Sequence, residues 1–230
     1  MTRPGFLLFI AVLVGFAALA YAGLDDGKAA YDKGDYANAY QEFEKLAVLG
    51  EAEAQYFLGR IYEKGQGVPQ DPAKAMEWYR KAADQGYAKA QFSLGAGYQN
   101  GSGVQQDYGE ALKWYSKAAE QGDAEAQRNL GNMYGEGHGA KQDYDEAVKW
   151  CRKSAEQGDP QAQTTLGWAY AGGNGVQQDY VQAYMWFSLA AAQGYPDAED
   201  SRGKLAGKMT PSQIAEAQRL ATEWQPKGRE

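Results

Sequence analysis

The sequence predicts an all-α fold, a right-handed α-solenoid of antiparallel helix pairs. A fixed interval of 36 residues separates four tryptophans, Trp78, Trp114, Trp150 and Trp186. A period between about 20 and 50 residues is typical of solenoids and other repeat architectures. The 29 glycines and only 7 prolines also favour helices separated by many tight turns.

The first helix of each unit is predicted from apolar spacing. Ala54, Leu58 and Tyr62 stand at i, i+4 and i+8, so they share one helix face that we expect to be buried. The same face carries a glycine in every unit, at Gly59, Gly95, Gly131 and Gly167. Because a glycine inside a helix costs about 1 kcal/mol relative to alanine, we expect a neighbouring helix to pass too close there for a side chain.

The second helix of each unit is predicted from its capping residue and its tryptophan. An aspartate precedes this helix in all four units, at Asp71, Asp107, Asp143 and Asp179. In three units a Glu or Gln follows three places later, which is the spacing of a capping box: Glu110, Glu146 and Gln182. We expect the tryptophans and the first-helix glycines to form the structural core that joins the units.

These columns divide the chain into a signal peptide, four complete units and two degenerate ends. The signal peptide is residues 1–22, and a degenerate capping repeat follows at 23–50. Four repeats then occupy 51–194, as 51–86, 87–122, 123–158 and 159–194. Residues 195–230 are predicted to be a degenerate repeat helix and a C-terminal capping helix, since a solenoid must cover its last apolar face. Thr210 and Gln213 predict a capping box for that last helix.

The amino terminus has the layout of a signal peptide. Arg3 precedes a strongly apolar run, and Ala20 and Ala22 place small residues three and one positions before a cut at Gly23. We therefore expect export, so that the mature chain is periplasmic or secreted. The alternative is an uncleaved anchor, because the 21 uncharged residues from Pro4 to Leu24 suffice to cross a hydrocarbon core of about 30 Å. In that case the chain is a membrane-tethered adaptor.

Charge and composition argue against several classes of function. The chain has 23 basic and 30 acidic residues, a formal charge of −7, which disfavours nucleic acid as a partner. His138 and Cys151 are its one histidine and one cysteine, so we expect no metal site, no intrachain disulfide and no cofactor. We expect His138, between Gly137 and Gly139, to be a solvated loop residue.

The repeated pattern, with Leu58-Gly59, Gly65-x-Gly67-Val68 and Trp78-Tyr79 in its first complete unit, resembles the Sel-one-like repeat. The resemblance implies a non-catalytic, superhelical scaffold that binds protein or peptide partners, and many such proteins are exported by bacteria. Some cysteine-rich relatives are associated with penicillin binding or β-lactam hydrolysis. Here Cys151 takes the column of Tyr79, Tyr115 and Phe187, so we expect a small core residue.

An enzyme acting on a cell-wall peptide or a β-lactam is the alternative function. Ser201 and Lys204 have the Ser-x-x-Lys spacing of β-lactam-acylating enzymes. The companion Ser-Asp-Asn and Lys-Thr-Gly elements are missing, and the serine stands in a column expected at the surface. The sequence therefore favours a non-catalytic protein.

The candidate partner-binding residues stand on the first helices, opposite the predicted core face. Two columns there vary between units and are rich in the side chains that anchor protein interfaces. In related superhelices the first helices line the concave side, which implies the same columns here. The candidates are Tyr56, Phe92, Arg128, Trp168, Arg60 and Asn132. The alternative is that Tyr56 and Phe92 pack between units and Trp168 alone is exposed.

Overall fold

The structure, a computed structural model, describes residues 23–226. The predicted signal peptide, residues 1–22, lies outside the described residues. Within residues 23–226 the regular secondary structure is entirely helical, as predicted. No helix of that part of the chain is both long enough and apolar enough to cross a membrane. The chain divides into two compact units, the first ending at Gln106 and the second beginning at Asp107.

The first unit contains five described helices, of which the second, third and fourth each contact the next helix along the chain. Helix α1 lies within residues 23–32 and precedes α2 (Tyr36–Val48), α3 (Ala52–Lys64), α4 (Pro72–Asp84) and α5 (Ala88–Asn100). Phe43, Leu58 and Ile61 are buried at the centre of one core cluster of this unit.

The second unit contains seven described helices. They are α6 (Tyr108–Glu120), α7 (Ala124–Glu136), α8 (Tyr144–Glu156), α9 (Pro160–Gly172), α10 (Tyr180–Ala192), α11 (Pro196–Ala206) and α12 (Pro211–Glu223). Helix α12 packs against α10, where the ring of Trp224 meets the ring of Trp186 edge-on at 6.2 Å. The last helix therefore covers apolar side chains of the last complete repeat.

The helix starts follow from the predicted aspartate caps, whereas the predicted capping boxes form in part. Each predicted aspartate accepts hydrogen bonds from backbone N–H groups of the first turn: Asp71, Asp107, Asp143 and Asp179. The capping box forms at α12, but at α10 Asp179 caps the helix without a box. The boxes predicted at α6 and α8 are also wrong, because the Glu110 and Glu146 carboxylates instead accept hydrogen bonds from Trp114 Nε1 at 3.0 Å and Trp150 Nε1 at 3.1 Å. In each case the indole one turn later is buried and needs that acceptor.

A column of buried glutamines ties each first helix to the helix before it. Gln55 Nε2 donates to the backbone oxygen of Ala47 at 3.0 Å, and its Oε1 accepts from Gln85 Nε2 at 2.8 Å. Equivalent bonds to the oxygen eight residues earlier recur at 3.1, 3.1 and 3.2 Å from Gln91, Gln127 and Gln163. Each buried amide is thus satisfied, which sets the register between neighbouring helices.

The first-helix glycines do accommodate a close neighbour. A Cβ at Gly59 would lie 2.5 Å from the ring of Tyr79, and one at Gly131 would lie 2.5 Å from the sulfur of Cys151. At Gly167 the ring of Phe187 would be 2.6 Å away. Among the column tryptophans three are buried and Trp78 is half-buried; the buried ones are Trp114, Trp150 and Trp186.

Candidate partner-binding site

The six candidate residues divide between the two units. Tyr56, Arg60 and Phe92 belong to the first unit, whereas the second unit contains the other three: Arg128, Asn132 and Trp168. Each group is therefore described within its own unit.

The candidates of the first unit are packed among other side chains. The guanidinium of Arg60 lies over the rings of Tyr31 and Tyr56, at 5.1 and 5.9 Å. The ring of Tyr56 in turn lies 5.8 Å from that of Tyr79 and 5.3 Å from that of Tyr87. Phe92 is half-buried. This is the arrangement of the alternative interpretation, in which the aromatic residues of this unit pack between helices.

Arg128 is held in an ion pair within the second unit. Its Nη1 lies 2.9 Å from Oδ2 of Asp159, and both side chains are largely buried. Asp159 also caps α9 by accepting a hydrogen bond from the backbone N–H of Ala162. The pair therefore joins the start of α7 to the start of α9, and the positive charge of Arg128 is balanced inside the protein.

Trp168 is the most exposed of the candidates. Its side chain keeps 53% of its surface accessible, and its ring meets the ring of Phe187 edge-on at 5.2 Å and 72°. Together with half-buried Asn132 it lines a cavity of about 400 Å³. Such a volume lies within the range of about 300 to 1,000 Å³ that is typical of ligand sites. The structure thus brings two of the six candidates together.

Unusually small side chains border this cavity, which we call the Cys151 cavity. Gly135 and Cys151 both line it. The equivalent residues two repeats earlier in the chain are Glu63 and Tyr79. There the Tyr79 hydroxyl donates a hydrogen bond to Glu63 Oε2 at 3.0 Å. The cavity therefore borders the positions at which the earlier repeat has a hydrogen-bonded tyrosine.

The rim of the Cys151 cavity is aromatic and acidic. Tyr144, 44% exposed, lines it together with Glu136. Glu136 Oε2 lies 3.0 Å from Nδ1 of His138, whose ring stacks on that of Tyr108 at 4.6 Å. His138 is a loop residue whose side chain is 42% exposed, as expected, and stacking on Tyr108 covers one face of its ring.

The nucleophiles that the sequence offers lack catalytic surroundings. Burial raises the pKa of the Cys151 thiol to about 12, so it stays protonated at neutral pH. Ser201 is buried, not at the surface as expected, and its Oγ donates to the backbone oxygen of Asp197 at 2.5 Å. Lys204 is paired with Asp200 instead of the serine. A serine inside a helix readily bonds the carbonyl one turn back, which accounts for its burial.

Sequence reasoning missed Tyr144, Gly135 and Glu136 as members of the site. The available signal was the departure of one repeat from its aromatic column, since Cys151 stands where the other repeats have Tyr79, Tyr115 and Phe187. Within the described residues, no group of three or more His, Cys, Asp or Glu side chains could hold a metal ion. The polar and aromatic groups that the cavity presents are two rings, two side-chain amides, a carboxylate and a threonine hydroxyl.

Comparison with known proteins identifies the family. A family model for the Sel1 repeat matches four consecutive segments, residues 52–87, 88–123, 124–159 and 160–195. The chain belongs to the Sel1 repeat family. Sel1 repeat proteins generally bind protein partners and are typically non-catalytic scaffolds. No curated protein matches this Sel1 repeat chain.

Solved structures show the same fold. A Sel1 repeat protein from Oxalobacter formigenes is 33% identical, with a TM-score of 0.77 over 88% of this chain and 85% of that one. A protective antigen of uropathogenic Escherichia coli with this fold is also 33% identical, with a TM-score of 0.57 over 89% of this chain and 53% of that one. A putative Sel1 repeat protein from Klebsiella pneumoniae, at 20% identity and a TM-score of 0.53 over 81% and 93% of the two chains, shares the fold alone.

Proposed function

We propose that this Sel1 repeat protein is an exported, non-catalytic scaffold, and that it binds a protein partner at the Cys151 cavity through Trp168. The observation that carries the proposal is the half-exposed indole of Trp168 beside an open cavity. The family supports the class of function, since Sel1 repeat proteins generally bind proteins. The proposed site keeps Trp168 and Asn132 from the six candidates.

The packing of Trp168 favours an anchor residue. Because the indole packs against the ring of Phe187, its ordering on binding costs little side-chain entropy, and the exposed remainder offers a large apolar area to a partner. Tyr144 adds a second exposed ring at the same cavity. Tryptophan and tyrosine are enriched among the residues that dominate interface energies.

Partner capture with matched variants tests the site. The purified protein is immobilised and exposed to an envelope extract beside three variants, Trp168→Ala, Cys151→Met and Leu49→Ala. Met at position 151 fills the cavity with a flexible side chain, and Leu49, 71% exposed, controls for the loss of an exposed apolar residue. We expect the wild type and Leu49→Ala to retain one partner that the other two variants lose. Equal capture by all four forms would contradict the site.

The export part of the proposal rests on the signal-peptide layout of residues 1–22. Cell fractionation and mass spectrometry of the amino terminus test it. We expect a soluble envelope protein that begins at Gly23. Recovery of a membrane-bound chain that retains residues 1–22 would show the tethered adaptor instead.

A further inference from the structure

The Cys151 cavity is acidic in its surroundings. Its described lining residues include one carboxylate, Glu136, and no lysine, arginine or histidine. Oε2 of Glu136 lies 3.0 Å from Nδ1 of His138, a contact that is ionic only when the imidazole is protonated. Arg128, two turns earlier on α7, is balanced by Asp159. With a formal charge of −7 on the whole chain, the cavity therefore suits a cationic group.

The two exposed rings at the cavity are suited to a planar cation. The faces of tryptophan and tyrosine attract cations, most strongly when water is excluded, and a guanidinium also stacks flat on them. The ring of Trp168 is held beside the cavity by its contact with the ring of Phe187, and 53% of the residue remains exposed. Tyr144 at the same cavity is 44% exposed. The two rings suit the flat face of a guanidinium, and the Glu136 carboxylate suits its positive charge.

The remaining walls fit the rest of an arginine side chain. Val148 and Leu166 give the cavity apolar walls, against which the methylene stem of an arginine packs well. The amides of Asn132 and Asn174 also line the cavity. Their oxygens are acceptors for guanidinium N–H groups that the carboxylate does not bind. A lysine ammonium has three donors on a compact group and gains less from flat stacking.

We propose that the Cys151 cavity receives an arginine side chain from an exposed segment of the partner protein, an inference that rests on the function proposed above. The guanidinium lies against the rings of Trp168 and Tyr144 and pairs with Glu136. The stem contacts Val148 and Leu166.

Indole NMR signals of the full chain test this inference directly. The protein has six tryptophans, and the Trp168→Phe variant identifies the signal of Trp168 by its absence. The probes are three capped tripeptides, acetyl-Leu-X-Leu-amide, in which X is arginine, lysine or citrulline, the neutral isostere of arginine. We expect the arginine peptide to shift the Trp168 signal and the citrulline peptide to bind about tenfold more weakly.

The Glu136→Gln variant separates charge-dependent binding from nonspecific binding of the peptide. We expect this variant to bind the arginine peptide about three- to tenfold more weakly and the citrulline peptide unchanged. The matched control is Glu77→Gln, which removes an exposed carboxylate of the first unit and leaves binding as in the wild type.

Two results would overturn the arginine inference. Equal binding of the arginine and citrulline peptides at Trp168 would remove charge recognition while leaving the partner-binding site in place. If no peptide shifts the Trp168 signal, the cavity does not bind an arginine side chain of a peptide. The proposed function fails separately, through retention of the partner by Trp168→Ala in the capture experiment.

Discussion

The repeat that contains Tyr79 and the repeat that contains Cys151 have equivalent helix pairs but differ in how the space between the helices is filled. In the first, the ring of Tyr79 lies over Gly59 and its hydroxyl donates to Glu63, so the space between α3 and α4 is filled. In the second, Cys151 lies over Gly131, and a Cβ there would also be 2.9 Å from the backbone oxygen of Ala147. Helices α7 and α8 therefore approach through their backbones, and a cavity remains beside them.

The comparison teaches that a repeat can keep its helix pair while one column decides whether a core or a cavity forms. The packing of each repeat against the preceding helix is shared, since Gln55 and Gln127 make equivalent buried hydrogen bonds to that helix. A single loss of aromatic volume, from tyrosine to cysteine, leaves the space that a partner could fill. Core substitutions of this kind leave cavities because the surroundings relax only in part.

The largest expected effect separates a core tryptophan from the exposed one. Trp114, 2% exposed, donates its indole N–H to Glu110 at 3.0 Å, so Trp114→Ala should lower the free energy of unfolding by about 3 to 5 kcal/mol. Trp168→Ala should lower it by less than about 1 kcal/mol. Urea unfolding followed by circular dichroism measures both. Equal losses would mean that Trp168 supports the fold and would remove it as an interface anchor.

A second prediction converts the filled repeat into the open one. Tyr79→Cys removes a buried ring, so we expect the free energy of unfolding to fall by about 3 kcal/mol. Tyr79→Phe removes only the hydrogen bond to Glu63 and should cost about 1 kcal/mol. The same urea titrations apply. A loss below about 1 kcal/mol for Tyr79→Cys would show that α3 and α4 close over the missing ring, and the origin assigned to the Cys151 cavity would then be wrong.

The smallest expected effect concerns the thiol in the open repeat. Burial raises the pKa of Cys151 from 9.0 to about 12, so its contribution to stability is complete below pH 9 and is lost as the pH rises towards 12. Relative to Cys151→Ala, the wild type should lose about 1 kcal/mol between pH 9 and pH 10, because the thiol of the unfolded chain ionises in this range while the buried thiol stays protonated. Unfolding titrations of both proteins at pH 8, 9 and 10 measure the difference. Parallel behaviour of the two would indicate a water-exposed thiol and hence a wider cavity.

Most of the fold could be predicted from the sequence because its signals are local and repeated. An aspartate cap depends on the backbone of its own first turn, so Asp71 and Asp143 act as the spacing predicts. The glycine column works for a related reason, since a missing side chain inside a helix implies a close neighbour. The failed capping box at α8 shows the limit, because Glu146 had two possible donors and the buried indole of Trp150 took it.

The candidate site could be predicted only in part. Tyr56 and Trp168 both stand on first-helix faces opposite the core, and periodicity does not distinguish them. Their surroundings do, because Tyr79 and Tyr87 pack against the ring of Tyr56, whereas Trp168 has one ring contact, with Phe187, and is 53% exposed. Those neighbours come from other helices, beyond the reach of any local pattern.

The sequence by itself determined the family, the 36-residue period, the helix pairs and the negative net charge. Tertiary structure alone decided which aromatic rings are exposed and where a cavity lies. The physical reason is that helices and caps depend on interactions within one turn or between adjacent repeats. Exposure and empty volume depend instead on the combined volume of side chains from neighbouring helices. At Cys151 that volume does not fill the space between them.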